Sequence, residues 1–303
     1  MLRVQQGCCL LLMAALGMGG CGKAQQQEEA QATLREMEVG YSVNNFVRAA
    51  RQGKPAIVAL FLKAGMDIDS QTKEGQTALM AAAQTSEVAT VKMLLDEGAN
   101  VNVRNRYQGT ALTASAWQGN PEMIKLLIDA GADVTAKNDK GISAVAYAAW
   151  ENRTEALRAL LAQGAPVDQP DNNGWTETMR AAFKGNTENV VLLLDHGAKV
   201  NAAAPNGETA LMQAAVEGHL GAVLELLKRG AQIDSRNSTG RTALAAAAAS
   251  GHREVVKALL ERGANPKLSD QDGKTPLELA EQANHSAVAE LLSNGATPAG
   301  KTT

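Results

Sequence analysis

The sequence predicts an all-α protein made of stacked helix–turn–helix units, and three observations carry that expectation. Thr77, Thr110, Ser143, Thr176, Thr209, Thr242 and Thr275 follow one another at an unbroken interval of 33 residues. A parallel ladder of Gly65, Gly98, Gly131, Gly164, Gly197, Gly230 and Gly263 has the same 33-residue spacing, with Ala next in every case except Met66. Self-similarity at such a period marks a repeat architecture. Composition agrees, because Ala and Leu dominate while aromatics are 3% and charged residues 20% of the 303 residues, which suits small, closely packed helices better than an aromatic-rich core.

Taken from the N-terminus, the first segment is not expected to belong to the stack. Arg3 supplies a positive n-region, and Cys8 to Met18 make an apolar stretch of eleven residues followed by Gly19-Gly20, so residues 1–20 read as an export signal. Eleven residues fall short of the roughly 20 that a helix needs to cross about 30 Å of hydrocarbon. Met18-Gly19-Gly20-Cys21 resembles the lipobox of bacterial lipoproteins, with Met18 where Leu is usual. That resemblance implies a lipidated Cys21 as the first mature residue. With Gly22 following it, it also implies an outer-membrane anchor facing the periplasm. Alternatives are a signal cut by another peptidase, or a retained membrane-binding tail. Residues 21–40, polar through Gln25-Gln26-Gln27-Glu28-Glu29, read as a lipidated tether. All three cysteines, Cys8, Cys9 and Cys21, lie within the first 21 residues. The body of the chain therefore needs no disulfide, which fits an oxidising compartment without requiring one.

Extrapolating the Thr ladder back by one period reaches Asn44, so an eighth unit is expected to begin near Tyr41. In each unit the Thr or Ser hydroxyl caps an Ala-rich first helix, as in Thr209-Ala210-Leu211. The second helix ends on paired apolar residues such as Leu94-Leu95, Leu127-Ile128, Leu193-Leu194 and Leu259-Leu260. The glycine after each pair stands where a helix C-terminus needs a positive φ, and Asn or Asp residues such as Asn102 and Asp234 start the following turn. A single unit cannot bury its apolar faces alone, so neighbours must cover one another.

Period, Gly-x-Thr-x-Leu (Gly75 to Leu79, Gly207 to Leu211, Gly240 to Leu244, Gly273 to Leu277) and Leu-Leu-x-x-Gly-Ala together resemble the ankyrin-repeat family. The resemblance covers residues 41–296 and leaves 297–303 as a tail. It implies a solenoid of about eight repeats with short β-turn fingers, acting in protein–protein binding. The family's Thr-Pro-Leu-His survives only as Thr275-Pro276-Leu277, and no unit keeps the histidine. Glu177-Thr178 replaces Ala-Leu in the fifth unit, which is expected to be locally soft. The last unit is one residue short and is more polar, through Glu278, Glu281 and Gln282, as suits a terminal cap.

Chemistry is not expected. His219, His252 and His285 recur every 33 residues, but equivalent atoms of stacked repeats stand roughly 10 Å apart. Two nitrogens on one zinc are separated by about 4.2 Å at most. These residues match the family's Gly-His turn, a structural reading, and His196 is a helix-end residue. No nucleophile–base pair, metalloprotease motif or phosphate loop is present in the sequence, so neither enzyme activity nor a cofactor or metal is expected. The formal charge of −3 comes without a run of like charges, which argues against nucleic acid as a partner.

The scarce aromatics are the informative residues. Trp117, Trp150 and Phe183 each stand seven positions after a repeat Thr or Ser, on the helix face that in ankyrin relatives lines the concave groove. Trp175 precedes Thr176 on a finger, and Arg106 and Tyr107 lie on the finger before Trp117. With Tyr147 they form the candidate partner-binding patch, because Trp, Tyr and Arg dominate binding hot spots; some, Tyr147 above all, could instead fill gaps between helices. The function expected is a monomeric, envelope-tethered adaptor or inhibitor that binds a protein. The alternatives are a structural spacer, or a peptide or small-ligand receptor.

Overall fold

The computed structural model describes residues 22–295, and the chain divides between Asp139 and Lys140 into two compact units. The export signal, Cys21 and the tail at 297–303 lie outside the described residues. No described helix is long and apolar enough to cross a membrane.

The first unit holds helix α1 (Lys23–Glu36) and three pairs: α2 (Val43–Arg51) with α3 (Pro55–Lys63), α4 (Ala78–Gln84) with α5 (Val88–Asp96), and α6 (Ala111–Gln118) with α7 (Pro121–Asp129). First helices pack on first helices, α2 on α4 and α4 on α6, while α3 packs on α5. The stretch read as a tether thus carries a 14-residue helix, which packs on α3 as a preceding repeat would. Its Gln- and Glu-rich sequence has good helix propensity. Ala30 and Leu34, one turn apart, are buried, and Gln31 donates to the Ala64 carbonyl at 3.1 Å. The reason is the apolar sequence of α3, PAIVALFLK, whose outward side has no earlier repeat to cover it. Phe46 and Phe61 fill the core of this first pair with ring centroids 5.7 Å apart, and Tyr41 stacks on Phe61 at 5.9 Å.

The second unit holds five pairs. They are α8 (Ala144–Trp150) and α9 (Thr154–Ala162), α10 (Glu177–Phe183) and α11 (Thr187–Asp195), α12 (Ala210–Val216) and α13 (Leu220–Lys228), α14 (Ala243–Ala249) and α15 (Arg253–Glu261), and α16 (Pro276–Gln282) and α17 (Ser286–Gly295). Again like helices stack: α8, α10, α12, α14 and α16 form one layer, and α9, α11, α13, α15 and α17 the other.

Both periodic ladders find their physical cause. Each Thr or Ser of the ladder accepts a hydrogen bond from the backbone N–H three residues on, at 3.1–3.4 Å, satisfying a donor that a helix start leaves orphaned. The glycines after the second helices have φ of 76–92°, a region that costs a Cβ-bearing residue steric energy. A third ladder links neighbours: Asp69, Asn102, Asp168, Asn201 and Asp234 accept from the N–H of Asn100, Asp133, Lys199, Gln232 and Asn265, each 31 residues on, at 2.8–3.0 Å. Between the layers, Leu94, Leu127, Leu160, Leu193, Leu226 and Leu259 are all fully buried. Each contributes about 1.5–3 kcal/mol.

Candidate protein-binding surface

The seven singled-out residues fall into two groups, one in each unit. In the first unit the finger before α6 turns on Asn105, whose side-chain oxygen accepts from the N–H groups of Tyr107 and Gly109, each at 2.9 Å. This finger lies against the preceding one, with the Arg106 N–H on the Glu74 carbonyl at 3.1 Å. A Cβ on Gly75 would stand 2.7 Å from the Arg106 nitrogen, so only glycine lets the two backbones meet there. The Arg106 guanidinium sits 5.0 Å from the centroid of the Tyr107 ring, and Tyr107 is 53% exposed. Trp117, at the far end of α6, is 50% exposed.

In the second unit three aromatics meet. The Trp150 and Phe183 rings, at the ends of α8 and α10, stack 5.7 Å apart at an interplanar angle of 8°. Trp175, on the finger leading into α10, meets Phe183 edge-on at 5.6 Å. Tyr147 is half-buried one turn before Trp150 on α8.

Two cations frame this cluster. Lys184 Nζ lies 4.6 Å from the Trp150 centroid and the Arg180 guanidinium 5.7 Å from it. Arg180 is held by an ion pair with Asp171, their side chains only 11% and 5% exposed. Asp171 also closes the finger, accepting from the N–H of Asn173 at 2.8 Å and of Trp175 at 2.9 Å. One carboxylate therefore shapes the finger, orients Trp175 and holds the arginine that lies over Trp150. Preorganisation of this kind lowers the ordering cost of binding.

Sequence reasoning passed over Asp171, Arg180 and Lys184. Position 180 carried a signal: it stands four residues after Thr176, where α14 has Ala246. A charged side chain there marks a departure from the Ala-rich pattern.

The histidines act within the stack. His219 and His252 hydrogen-bond through Nε2 to the carbonyl oxygens of Phe183 and Val216 at 3.0 and 2.9 Å, which requires the proton on Nε2. Their rings lie so close to Gly185 and Gly218 that a Cβ there would come within 2.5 and 2.4 Å of Nδ1. Each ring thus ties one pair to the one before it. His196 turns back on its own helix, with Nδ1 2.8 Å from the Leu192 carbonyl. Among the described residues no group of three or more His, Cys, Asp or Glu side chains could hold a metal ion.

The repeat geometry defines a class, the stacked helical-hairpin binding protein, and the family follows from comparison with known ones. The family model described as ankyrin repeats (3 copies) matches residues 46–138, 145–237 and 211–301. The chain belongs to the ankyrin-repeat family, whose members in general serve as protein–protein interaction scaffolds rather than as catalysts. No curated protein matches the chain.

Proposed function

We propose that this protein is a membrane-tethered adaptor or inhibitor of the bacterial envelope that captures a protein partner through its exposed aromatic residues. One observation carries the reading: of nine aromatic side chains, only Phe46 and Phe61 are fully buried, and the other seven keep accessible surface. A chain that needed aromatics only for its core would not leave Tyr107 and Trp117 about half exposed. Exposed aromatic patches on folded proteins mark interaction sites. Trp117, Trp150, Trp175, Phe183 and Tyr107 are the anchors, with Arg106 and Tyr147 beside them. The lipid on Cys21 holds the protein at the outer membrane, facing the periplasm. The docked helix α1 supports a short connection to that lipid, since it begins at Lys23.

The test is a pull-down from envelope extract, comparing the parent with a Trp117→Ala, Trp150→Ala double variant of matched helicity. A partner retained by the parent and lost by the variant is the expected result; equal retention overturns the aromatic reading, and no retained partner in either favours a spacer role. Mass spectrometry of the mature N-terminus is expected to find an acylated Cys21. An unmodified N-terminus at another residue would remove the anchor from the proposal.

A further inference from the structure

Along the first-helix layer of the second unit, the side chains four and seven residues after the capping Thr or Ser shrink from pair to pair. They run Tyr147 and Trp150, Arg180 and Phe183, Gln213 and Val216, then Ala246 and Ala249. At the foot of this descent, between α12 and α14, lies a cavity of about 310 Å³, at the lower end of the range for ligand pockets, about 300–1,000 Å³. Met212, Val216, Ala246 and Ala249 make its apolar floor, while Glu208, Arg241, Thr239 and Ser250 bring polar groups to its wall.

The charges of the wall are not equivalent. Arg241, its side chain 42% exposed, donates from Nε to Asp270 at 3.3 Å, and the Asp270 side chain is only 3% exposed, so the arginine's charge is paired with a carboxylate of the fold. Burial acts to raise the Asp270 pKa, but hydrogen bonds from the Lys274 N–H, Arg241 and the Asp272 N–H outweigh it and keep that carboxyl below its ordinary value. Glu208 has no such match. Its two oxygens accept from Asn237 Nδ2 at 2.6 Å and Gln213 Nε2 at 3.2 Å, both neutral amides that orient the carboxylate without cancelling its charge.

We infer that this cavity is a subsite for a lysine side chain of the bound partner. The aliphatic stem covers Met212, Val216, Ala246 and Ala249, and the ammonium donates to Glu208, with the Thr239 and Ser250 hydroxyls within the same cavity as further acceptors. Lysine suits such a site because its stem is apolar and only its tip is charged. A glutamate stem would bring its carboxylate to Glu208, and a norleucine would leave that carboxylate uncompensated. The inference deepens the protein-binding reading by naming a partner chemistry, but it uses none of the aromatic anchors.

The experiment is methionine-methyl NMR of the full chain in detergent, titrated with N-acetyl-lysine N-methylamide and with the norleucine and glutamate counterparts. The Met212 signal is assigned from Met212→Leu. The lysine probe is expected to shift Met212 saturably and to bind at least fivefold more tightly than either counterpart. Glu208→Gln should weaken it at least fivefold. Because Glu208 also braces Asn237 and Gln213, Ala249→Leu provides an independent arm: it fills the floor and should abolish the shift, with both variants required to keep the parental melting curve. Equal response to the three probes, no saturable shift, or an unchanged lysine response in both variants overturns the subsite. The Trp117→Ala, Trp150→Ala variant should keep the Met212 response, so failure of the aromatic reading and failure of this one are distinguishable.

Discussion

Two helix pairs of the second unit, α10–α11 and α14–α15, follow the same repeat and differ in what they bury. α14 reads Ala243-Leu244 after its cap and stacks a wholly apolar inner face. α10 begins Glu177-Thr178 in the same places, and both side chains are 1% exposed. Glu177 has found work: its carboxylate accepts the Gln169 N–H at 3.2–3.3 Å, fastening the loop that carries Asp168 at a φ of +57°. A carboxylate at a helix start is also favoured by the N-terminal dipole. Thr178 has not, since its Oγ1 is buried without a hydrogen-bond partner, as are Asn189 Oδ1 on α11 and Arg180 Nε. On α15 the counterpart of Asn189 is Val255, apolar and equally buried. The backbone period thus tolerates polar residues at core positions, at the cost of orphaned atoms worth about 1–3 kcal/mol each.

The largest effect expected from this contrast is that of moving α10's residue into α14. Leu244→Thr should destabilise the protein by about 3 kcal/mol, combining a lost apolar side chain, a cavity and a buried hydroxyl, read from urea unfolding midpoints. A loss below about 1 kcal/mol would mean that the stack relaxes around polar residues and that the contrast carries no energy. The reverse change, Thr178→Leu, should raise stability by about 1–2 kcal/mol by replacing an orphaned hydroxyl with apolar volume. A decrease in the melting temperature would show instead that the site is too tight for leucine. Without any substitution, amide hydrogen exchange should be faster in α10 and α11 than in α14 and α15, by roughly tenfold if the local difference is about 1.4 kcal/mol. Equal protection would end the view of the fifth pair as soft.

The smallest effect concerns pH. Hydrogen bonds from the Thr275 N–H and hydroxyl lower the Glu278 pKa against a smaller opposing effect of burial, and Asp270 is lowered as described above. A depressed carboxylate adds stability that is present above its unfolded value, about 3.9 for Asp and 4.3 for Glu, and is lost as pH falls through the lower folded value. Asp270→Asn and Glu278→Gln should therefore lower the melting temperature at pH 7 and narrow their gap from the parent below about pH 4. A gap that stays constant with pH would assign the effect to hydrogen-bond geometry instead.

Much of the fold was legible because each repeat position answers to one local cause. A Thr before Ala-Leu can cap a helix, a Gly after Leu-Leu can take a positive φ, and the interval between them fixes two short helices. Helix α1 was not legible, since Ala30 and Leu34 are too few to reveal an amphipathic face until α3 is there to be covered. The candidate surface divides the same way. That Trp117, Trp150, Trp175 and Phe183 occupy comparable places could be counted off the ladder. The face-to-face stacking of Trp150 on Phe183 and the hold of Asp171 on Arg180 depend on side-chain rotamers in three dimensions.

By itself, then, the amino-acid sequence determined the period, the helix starts and stops, the layer each leucine joins and the family. These follow from backbone geometry repeated at a fixed interval. Tertiary structure alone decided which polar atoms are orphaned, which charges are cancelled, and where small residues leave space. Glu208 and Ala249 differ little from their neighbours as letters, and each acquires its meaning from atoms that packing brings within reach, Asn237 for the first and Val216 for the second.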